Sequence, residues 1–141
     1  MLIIRSIHSG EFIRFTPLPE ISSCTFDVTA RLGKHTVCND SLSVLSVESF
    51  LDSLRQFEIT RQGEATLEGT YDFCLTITPH GSLGAAWMQF YLADYIFLET
   101  GQYGRIALEG GFAIPGESIG ALLRDFEKLL MCDPHNGCDN E

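Results

Sequence analysis

The sequence has no lysine or arginine between Arg61 and Arg105. Five acidic residues lie in that stretch: Glu64, Glu68, Asp72, Asp94 and Glu99. The whole chain carries 9 basic and 19 acidic residues, a net charge of −10. Because nucleic acid and anionic lipid are bound through basic surfaces, this balance argues against both as partners. It favours either a basic protein partner or a charge that only maintains solubility.

Long apolar runs are also missing, and none approaches the roughly 20 residues that a membrane-spanning helix needs. The apolar run in residues 1–7 is too short for a signal peptide and follows no basic leader. The five cysteines are odd in number and lack paired spacing, which is typical of reduced thiols. We therefore expect a soluble, cytoplasmic protein that does not bind membranes.

Motifs for common enzyme chemistry are absent as well: there is no Walker loop, no G-x-G-x-x-G after a strand and no H-E-x-x-H. Residues 116–120 match the nucleophile-elbow pattern G-x-S-x-G. However, only a helix and a short tail follow to supply the acid and the histidine, so we interpret Ser118 as a helix N-cap. We predict no catalytic residue and no cofactor.

Three residues near the C-terminus, Cys132, His135 and Cys138, could supply three zinc ligands. A fourth ligand would have to come from elsewhere, and the paired C-x₂₋₄-C units of structural zinc sites are absent. We interpret these residues as incidental members of a flexible polar tail, residues 132–141. We therefore predict no metal site.

Two segments with a period of two form the centre of the predicted fold. In residues 71–78 the apolar face is Tyr71, Phe73, Leu75 and Ile77, and in residues 84–92 it is Ala86, Met88, Phe90 and Leu92. Such alternation is typical of half-buried strands. The turn residues Pro79-His80-Gly81-Ser82 between the two segments predict a β-hairpin.

The remaining patterns predict further strands and two helices. Strands are expected at residues 2–7, 11–15, 23–32, 35–45 (broken or bulged near Asn39-Asp40), 64–68, 94–100 and 105–114 (with a bulge or sharp bend at Gly110-Gly111). Apolar residues recur every three or four positions from Val47 to Phe57, after Ser46 as the predicted N-cap, and again from Ile119 to Leu130. Gly63 is expected to mark the exit from the first helix.

Together these patterns predict an α+β fold. We expect one mostly antiparallel sheet of six to nine strands, strongly curved or split into two layers, with one helix mid-chain and one C-terminal helix. Residues 1–131 should form a single domain.

The candidate binding surface is the polar face of the central hairpin. Trp87 and Tyr91 would lie there beside Asp72, a mixture of aromatic and acidic side chains that is typical of protein interfaces. The alternative is that a helix packs on this face and buries both aromatic residues. The predicted partner-binding residues are Glu64, Glu68, Asp72, Trp87, Tyr91 and Asp94.

The order of segments from Ser23 to Leu130 resembles a known family. It runs through Phe26-Asp27-Val28, a helix with Phe50-Leu51 and Leu54, Gly63-Glu64-Ala65-Thr66-Leu67, Asp72-Phe73-Cys74-Leu75-Thr76-Ile77, a glycine-containing turn, another strand and a leucine-rich C-terminal helix. This order is similar to the WapI-type immunity proteins of bacterial contact-dependent toxin systems. The resemblance implies neutralisation of a toxin, often a nuclease, by binding in the cytoplasm. It implies no catalytic residues.

Two other function classes remain open from the sequence. A small-molecule-binding or enzymatic domain would place a pocket inside the curved sheet, lined by converging polar groups. An oligomerising module would instead present a self-complementary surface. The sequence does not indicate the oligomeric state.

Overall fold

A computed structural model describes residues 1–8 and 10–131, so the predicted tail and its zinc-ligand alternative lie outside the described residues. The strands are β1 (Leu2–Arg5), β2 (Phe12–Pro17), β3 (Thr25–Leu32), β4 (His35–Leu45), β5 (Ala65–Gly69), β6 (Phe73–His80), β7 (Ala85–Phe97) and β8 (Tyr103–Ile114). The helices are α1 (Val47–Thr60), between β4 and β5, and α2 (Ile119–Leu130) after β8. A single 3-10 turn, Gly116–Ser118, precedes α2.

The eight strands form one open antiparallel sheet in the order β1 to β8. The predicted α+β class is therefore confirmed, with one helix mid-chain and one at the C-terminal end. The predicted segments 84–92 and 94–100 are parts of one long strand, β7. One backbone hydrogen bond, from Ile7 N to Ala113 O at 2.9 Å, links the segment after β1 to β8.

The sheet curls so that β4 contacts β7, although two strands, β5 and β6, lie between them in the order of the sheet. The pairs Phe26–Leu42 and Val28–Asn39 leave one extra residue on β4, which confirms the bulge predicted near Asn39-Asp40. Beside this bulge the buried Asn39 side chain donates from Nδ2 to Ala93 O at 2.9 Å. Asn39 Oδ1 also accepts the Ser41 N–H at 3.1 Å, so the buried amide is paired at both ends, and the bond to Ala93 ties β4 to β7.

The bulge expected at Gly110-Gly111 is not present, because the register of β7 with β8 is continuous along the whole strand. The two glycines instead permit close approach. A Cβ atom on Gly110 would lie 2.8 Å from Leu32 Cδ1, and one on Gly111 would overlap the carbonyl oxygen of Met88. Close packing therefore explains Gly111, and it adds to the constraint at Gly110, whose backbone φ of 158° is one that residues with a side chain rarely adopt.

A cluster of phenylalanine rings fills the concave side of the sheet. Phe15 is fully buried and meets Phe26, Phe73 and Phe126 edge-to-face, with ring centroids 5.7–6.1 Å apart. Phe126 of α2 also meets Phe50 of α1 at 5.0 Å. Both helices therefore pack into the same core, together with the inward residues of both halves of the sheet.

The ends of the helices differ in detail from the predictions. Ser46 and Ser118 occupy the N-cap positions of α1 and α2, but neither side chain makes a capping hydrogen bond. Ser46 has a left-handed backbone (φ 55°), and Ser118 Oγ donates to Pro115 O instead. Tyr71, predicted to face inward, is 95% exposed because it lies in the turn before β6.

Arg61 ends α1, two residues before the predicted exit at Gly63. Its backbone is left-handed (φ 56°), and its guanidinium Nη1 donates to the carbonyl oxygens of Gly84 and Gly116 at 3.1 and 2.8 Å. These bonds fasten the β6–β7 turn and the 3-10 turn to the end of α1. The Arg61 side chain thus serves the internal structure.

Replacing Phe15 with alanine should lower the free energy of unfolding by about 3–5 kcal/mol, because a large cavity would open where three other rings meet. The same substitution at Phe97, which is 78% exposed, should change it by no more than about 0.5 kcal/mol. Denaturant unfolding of both variants measures the difference. Equal losses would contradict the central position of Phe15.

Candidate protein-binding surface

The surface in question is the side of β5–β8 that points away from the core, which we call the outer face. Cross-strand register aligns its side chains in rows. One row contains Glu68, Cys74, Tyr91 and Glu109, and the next contains Thr66, Thr76, Gln89 and Gly111. Because directly opposite residues on neighbouring strands have Cβ atoms about 4.5–5.5 Å apart, each row is a continuous strip of contacts.

The outer face remains accessible in the part of the chain that the structure describes. Both helices bury their apolar residues in the core on the concave side. Trp87 and Tyr91 are partly exposed, and Gln89 between them is exposed. The alternative in which a helix covers Trp87 and Tyr91 is therefore not what the structure shows.

The predicted site residues fall on two sides of the sheet. Glu68, Trp87 and Tyr91 lie on the outer face by their register. Asp72 comes directly before β6, and its carbonyl oxygen accepts the Ala93 N–H at 2.9 Å. This bond continues the register of β6 with β7, so Asp72 lies opposite Ala93 on the same face as Tyr91. Glu64 is exposed and comes directly before β5.

Asp94 does not join the other predicted residues. It alternates with Tyr95 along β7 and lies opposite Ile106 of β8, so its side chain belongs to the other face of the sheet. The expectation that Asp94 shares a surface with Glu68 and Asp72 is therefore corrected by the structure.

Two charged residues of the outer face were missed in the sequence. Glu109 lies opposite Tyr91 and adds a carboxylate to its row. Arg105 lies on the same face, with its guanidinium carbon 5.3 Å from the centre of the Tyr91 ring, a cation–π contact. The alternation of β8 was the signal for both, but their place beside Tyr91 depends on the register with β7. The outer face is therefore acidic but contains one positive charge.

Trp87 is held in a fixed orientation. Its indole Nε1 donates to Gln89 Oε1 at 3.0 Å, and the His80 ring lies 5.2 Å from the Trp87 ring. A Cβ atom on Gly111 would lie 2.7 Å from Trp87 Nε1, so the glycine leaves the space that the indole occupies. A large aromatic side chain that is already ordered loses little entropy on binding a partner.

Two polar atoms on the outer face are buried without a hydrogen-bond partner within the described chain: Asp72 Oδ1 and the Tyr91 hydroxyl. Most buried polar atoms in proteins are paired, so these two are exceptions among the described residues, and because they are buried they are not directly open to another molecule. Partial desolvation and then the charge of the Asp72 carboxylate raise the pKa of Tyr95 above its ordinary value of 10.0. The neighbourhood of Asp72 thus favours neutral or positive groups.

The thiol of Cys74 lies in the row between Glu68 and Tyr91. Burial raises its pKa, the Thr76 side chain lowers it and the Glu68 carboxylate raises it, and the net pKa is above the ordinary value of 9.0. Since the thiolate is the reactive form, this thiol is a poor nucleophile at neutral pH.

The two clefts in the surface bring few polar side chains together. Two clefts, with volumes of about 360 and 440 Å³, lie between β1 and α2, and Asp125 lines both. Neither lies inside the curved sheet, where the phenylalanine cluster fills the space. Among residues 1–8 and 10–131, no group of three or more His, Cys, Asp or Glu side chains is placed to hold a metal ion. Neither α1 nor α2 is long and apolar enough to cross a membrane.

Fold and site together define an α+β protein with an open antiparallel sheet, whose outer face combines carboxylates with partly exposed aromatic rings. Comparisons of the chain with models of known families, with curated proteins and with solved structures find no match.

Replacing Asp72 with asparagine should lower the pKa of Tyr95, because the carboxylate that opposes formation of the tyrosinate is removed. Asp94→Asn is the matched control, since Asp94 is next to Tyr95 in sequence but lies on the opposite face. NMR titration of the tyrosine ring signals measures both variants. A larger decrease with Asp94→Asn would contradict the assignment of the two carboxylates to opposite faces.

Proposed function

We propose that the protein is a cytoplasmic immunity protein that neutralises a cognate basic toxin domain, such as a nuclease, by binding and occluding it. The observation that carries the proposal is the composition of the outer face. Four carboxylates, those of Glu64, Glu68, Asp72 and Glu109, surround the two partly exposed rings of Trp87 and Tyr91.

Electrostatics support a basic partner. A toxin that acts on nucleic acid needs lysine and arginine side chains to hold phosphate groups, and a surface of carboxylates offers those side chains an alternative. The net charge of −10 also raises the rate of encounter with such a protein. The resemblance to WapI-type immunity proteins implies the same function.

Local chemistry supports direct contact rather than attraction at a distance alone. Trp87 and Tyr91 are the residue types that most often contribute large binding energies at interfaces. The exposed carboxylates of Glu64, Glu68 and Glu109 can each accept a hydrogen bond from a lysine or arginine of the partner. Arg105 would in turn repel a misplaced basic group, and this fixes the orientation of the partner.

Reversing two exposed carboxylates, Glu64→Lys and Glu68→Lys, should slow association with the toxin domain by roughly tenfold at low salt, and by less as salt screens the charges. The partner to test is the C-terminal domain of any large secreted protein that is encoded directly upstream of this gene. Stopped-flow fluorescence measures the association rate, with Trp87 as the reporter group.

The matched control is the double variant Glu20→Lys, Asp125→Lys. It changes the net charge by the same amount, but both residues are exposed in the β2–β3 loop and on α2 rather than on the outer face. The control should slow association much less. If both double variants slow association equally, net charge alone accounts for the effect and the outer face has no special role. If the protein forms no complex with the toxin domain, the proposed function is refuted.

A further inference from the structure

One long edge of the sheet has no partner strand among the described residues. β8 is the last strand in the sheet, and its far side is open. In an antiparallel ladder the N–H and C=O of one residue point to the same side, and this side alternates along the strand. Because Ala113 O accepts a bond from Ile7 N, on the side away from β7, the odd-numbered residues of β8 direct their backbone groups to the open edge.

The open edge has definite limits. The bond from Ile7 occupies it at Ala113, and β8 begins at Tyr103. The hairpin bond from Leu98 N to Gln102 O agrees with this assignment, because the even-numbered Gln102 points its carbonyl toward β7. Residues 103–111 are therefore left with unpaired backbone groups at Tyr103, Arg105, Ala107, Glu109 and Gly111.

We propose that this edge pairs with the same edge of a second copy of the chain. The two β8 strands run antiparallel about a two-fold axis at Ala107, which is the central residue of the open segment. Each copy then contributes the same five residues to the new ladder, and one sheet continues through both copies. This inference does not depend on the proposed function.

Side chains on the outer face complement each other in this register. Arg105 of one copy lies opposite Glu109 of the other, and the two-fold axis produces this pair twice. Ala107 lies opposite Ala107 of the second copy. A bulky residue at this position would clash with its equivalent, and a charged one would be repelled by it. Tyr103, which is 68% exposed in the single chain, lies opposite Gly111 and beside Trp87. Opposite charges placed in this way favour pairing, and like charges disfavour it.

The other face of the ladder is complementary as well. Ile106, which is 50% exposed, lies opposite Leu108 of the second copy, and again the pair occurs twice. Gly104 lies opposite Gly110, so no side chain enters the space where Leu32 packs against Gly110. Residues 103–111 thus place opposite charges, apolar side chains and glycines against each other when the same segment runs antiparallel to itself. Such self-complementarity fits a second copy of the chain better than an unrelated strand.

Sedimentation velocity of the full chain over a concentration series tests the proposal. We expect the mass to rise from that of one chain to that of two. Arg105→Glu or Glu109→Arg alone should weaken the dimer by roughly tenfold or more, because each creates two like-charge pairs. The double variant R105E/E109R should restore the dimer to within a few-fold of the wild type.

Glu99→Arg is the matched control, since it makes the same charge change at an exposed position outside residues 103–111. It should leave the dimer constant nearly unchanged. Circular dichroism checks that each variant is folded. For the wild type, hydrogen exchange of the Ala107 N–H should slow as the protein concentration rises, a measurement that needs no variant.

Three results would overturn the proposal. The first is a wild-type chain that stays monomeric throughout the concentration series, which leaves the edge to other occupants such as a strand of a different protein. The second is a folded double variant that remains as monomeric as the single variants. The third is an effect of Glu99→Arg as large as that of Glu109→Arg, which would indicate net charge rather than register.

Discussion

The packing of Phe15 against rings from three other elements determines which side of the sheet is available for binding. Phe26 and Phe73 lie in different halves of the sheet, and Phe126 lies in α2. Their joint contact with Phe15 holds the curl of the sheet and places both helices on its concave side. Because apolar burial is the main stabilising term in folding, this arrangement leaves little room for a pocket inside the curve. The outer face of β5–β8 is left as the accessible surface.

Register then decides what that surface contains. β7 is continuous over its whole length, so Trp87 and Tyr91 keep one face while Asp94 lies on the other. The return of the chain through β8 brings Arg105 and Glu109 beside Tyr91. Although the sequence between Arg61 and Arg105 contains no basic residue, the surface that it forms does carry a positive charge. Its boundary residue Arg105 folds back onto the acidic face, while Arg61 is used to fasten turns.

Local periodicity was sufficient to predict the strands, both helices and the fold class, because alternation of apolar residues reflects which side of each element is buried. It failed where the outcome depended on distant partners. The sequence patterns divided β7 into two segments near Ala93. Because β7 is one continuous strand, alternation places Asp94 on the same face as the apolar residues Phe90 and Leu92, which the divided pattern did not show. Arg105 and Glu109 could be placed only with the β7–β8 register. Ser46 occupies the N-cap position as predicted, but its left-handed backbone accompanies a cap without a side-chain hydrogen bond. Tyr71 was misjudged because a turn interrupts the alternation at that point.

The central proposal is that the outer face of β5–β8 is a docking surface for a basic protein. NMR chemical-shift mapping during titration with the toxin domain tests it most directly. The account predicts that the largest changes fall on Glu68, Asp72, Trp87 and Tyr91. Changes confined to the clefts between β1 and α2, around Asp125, would contradict it.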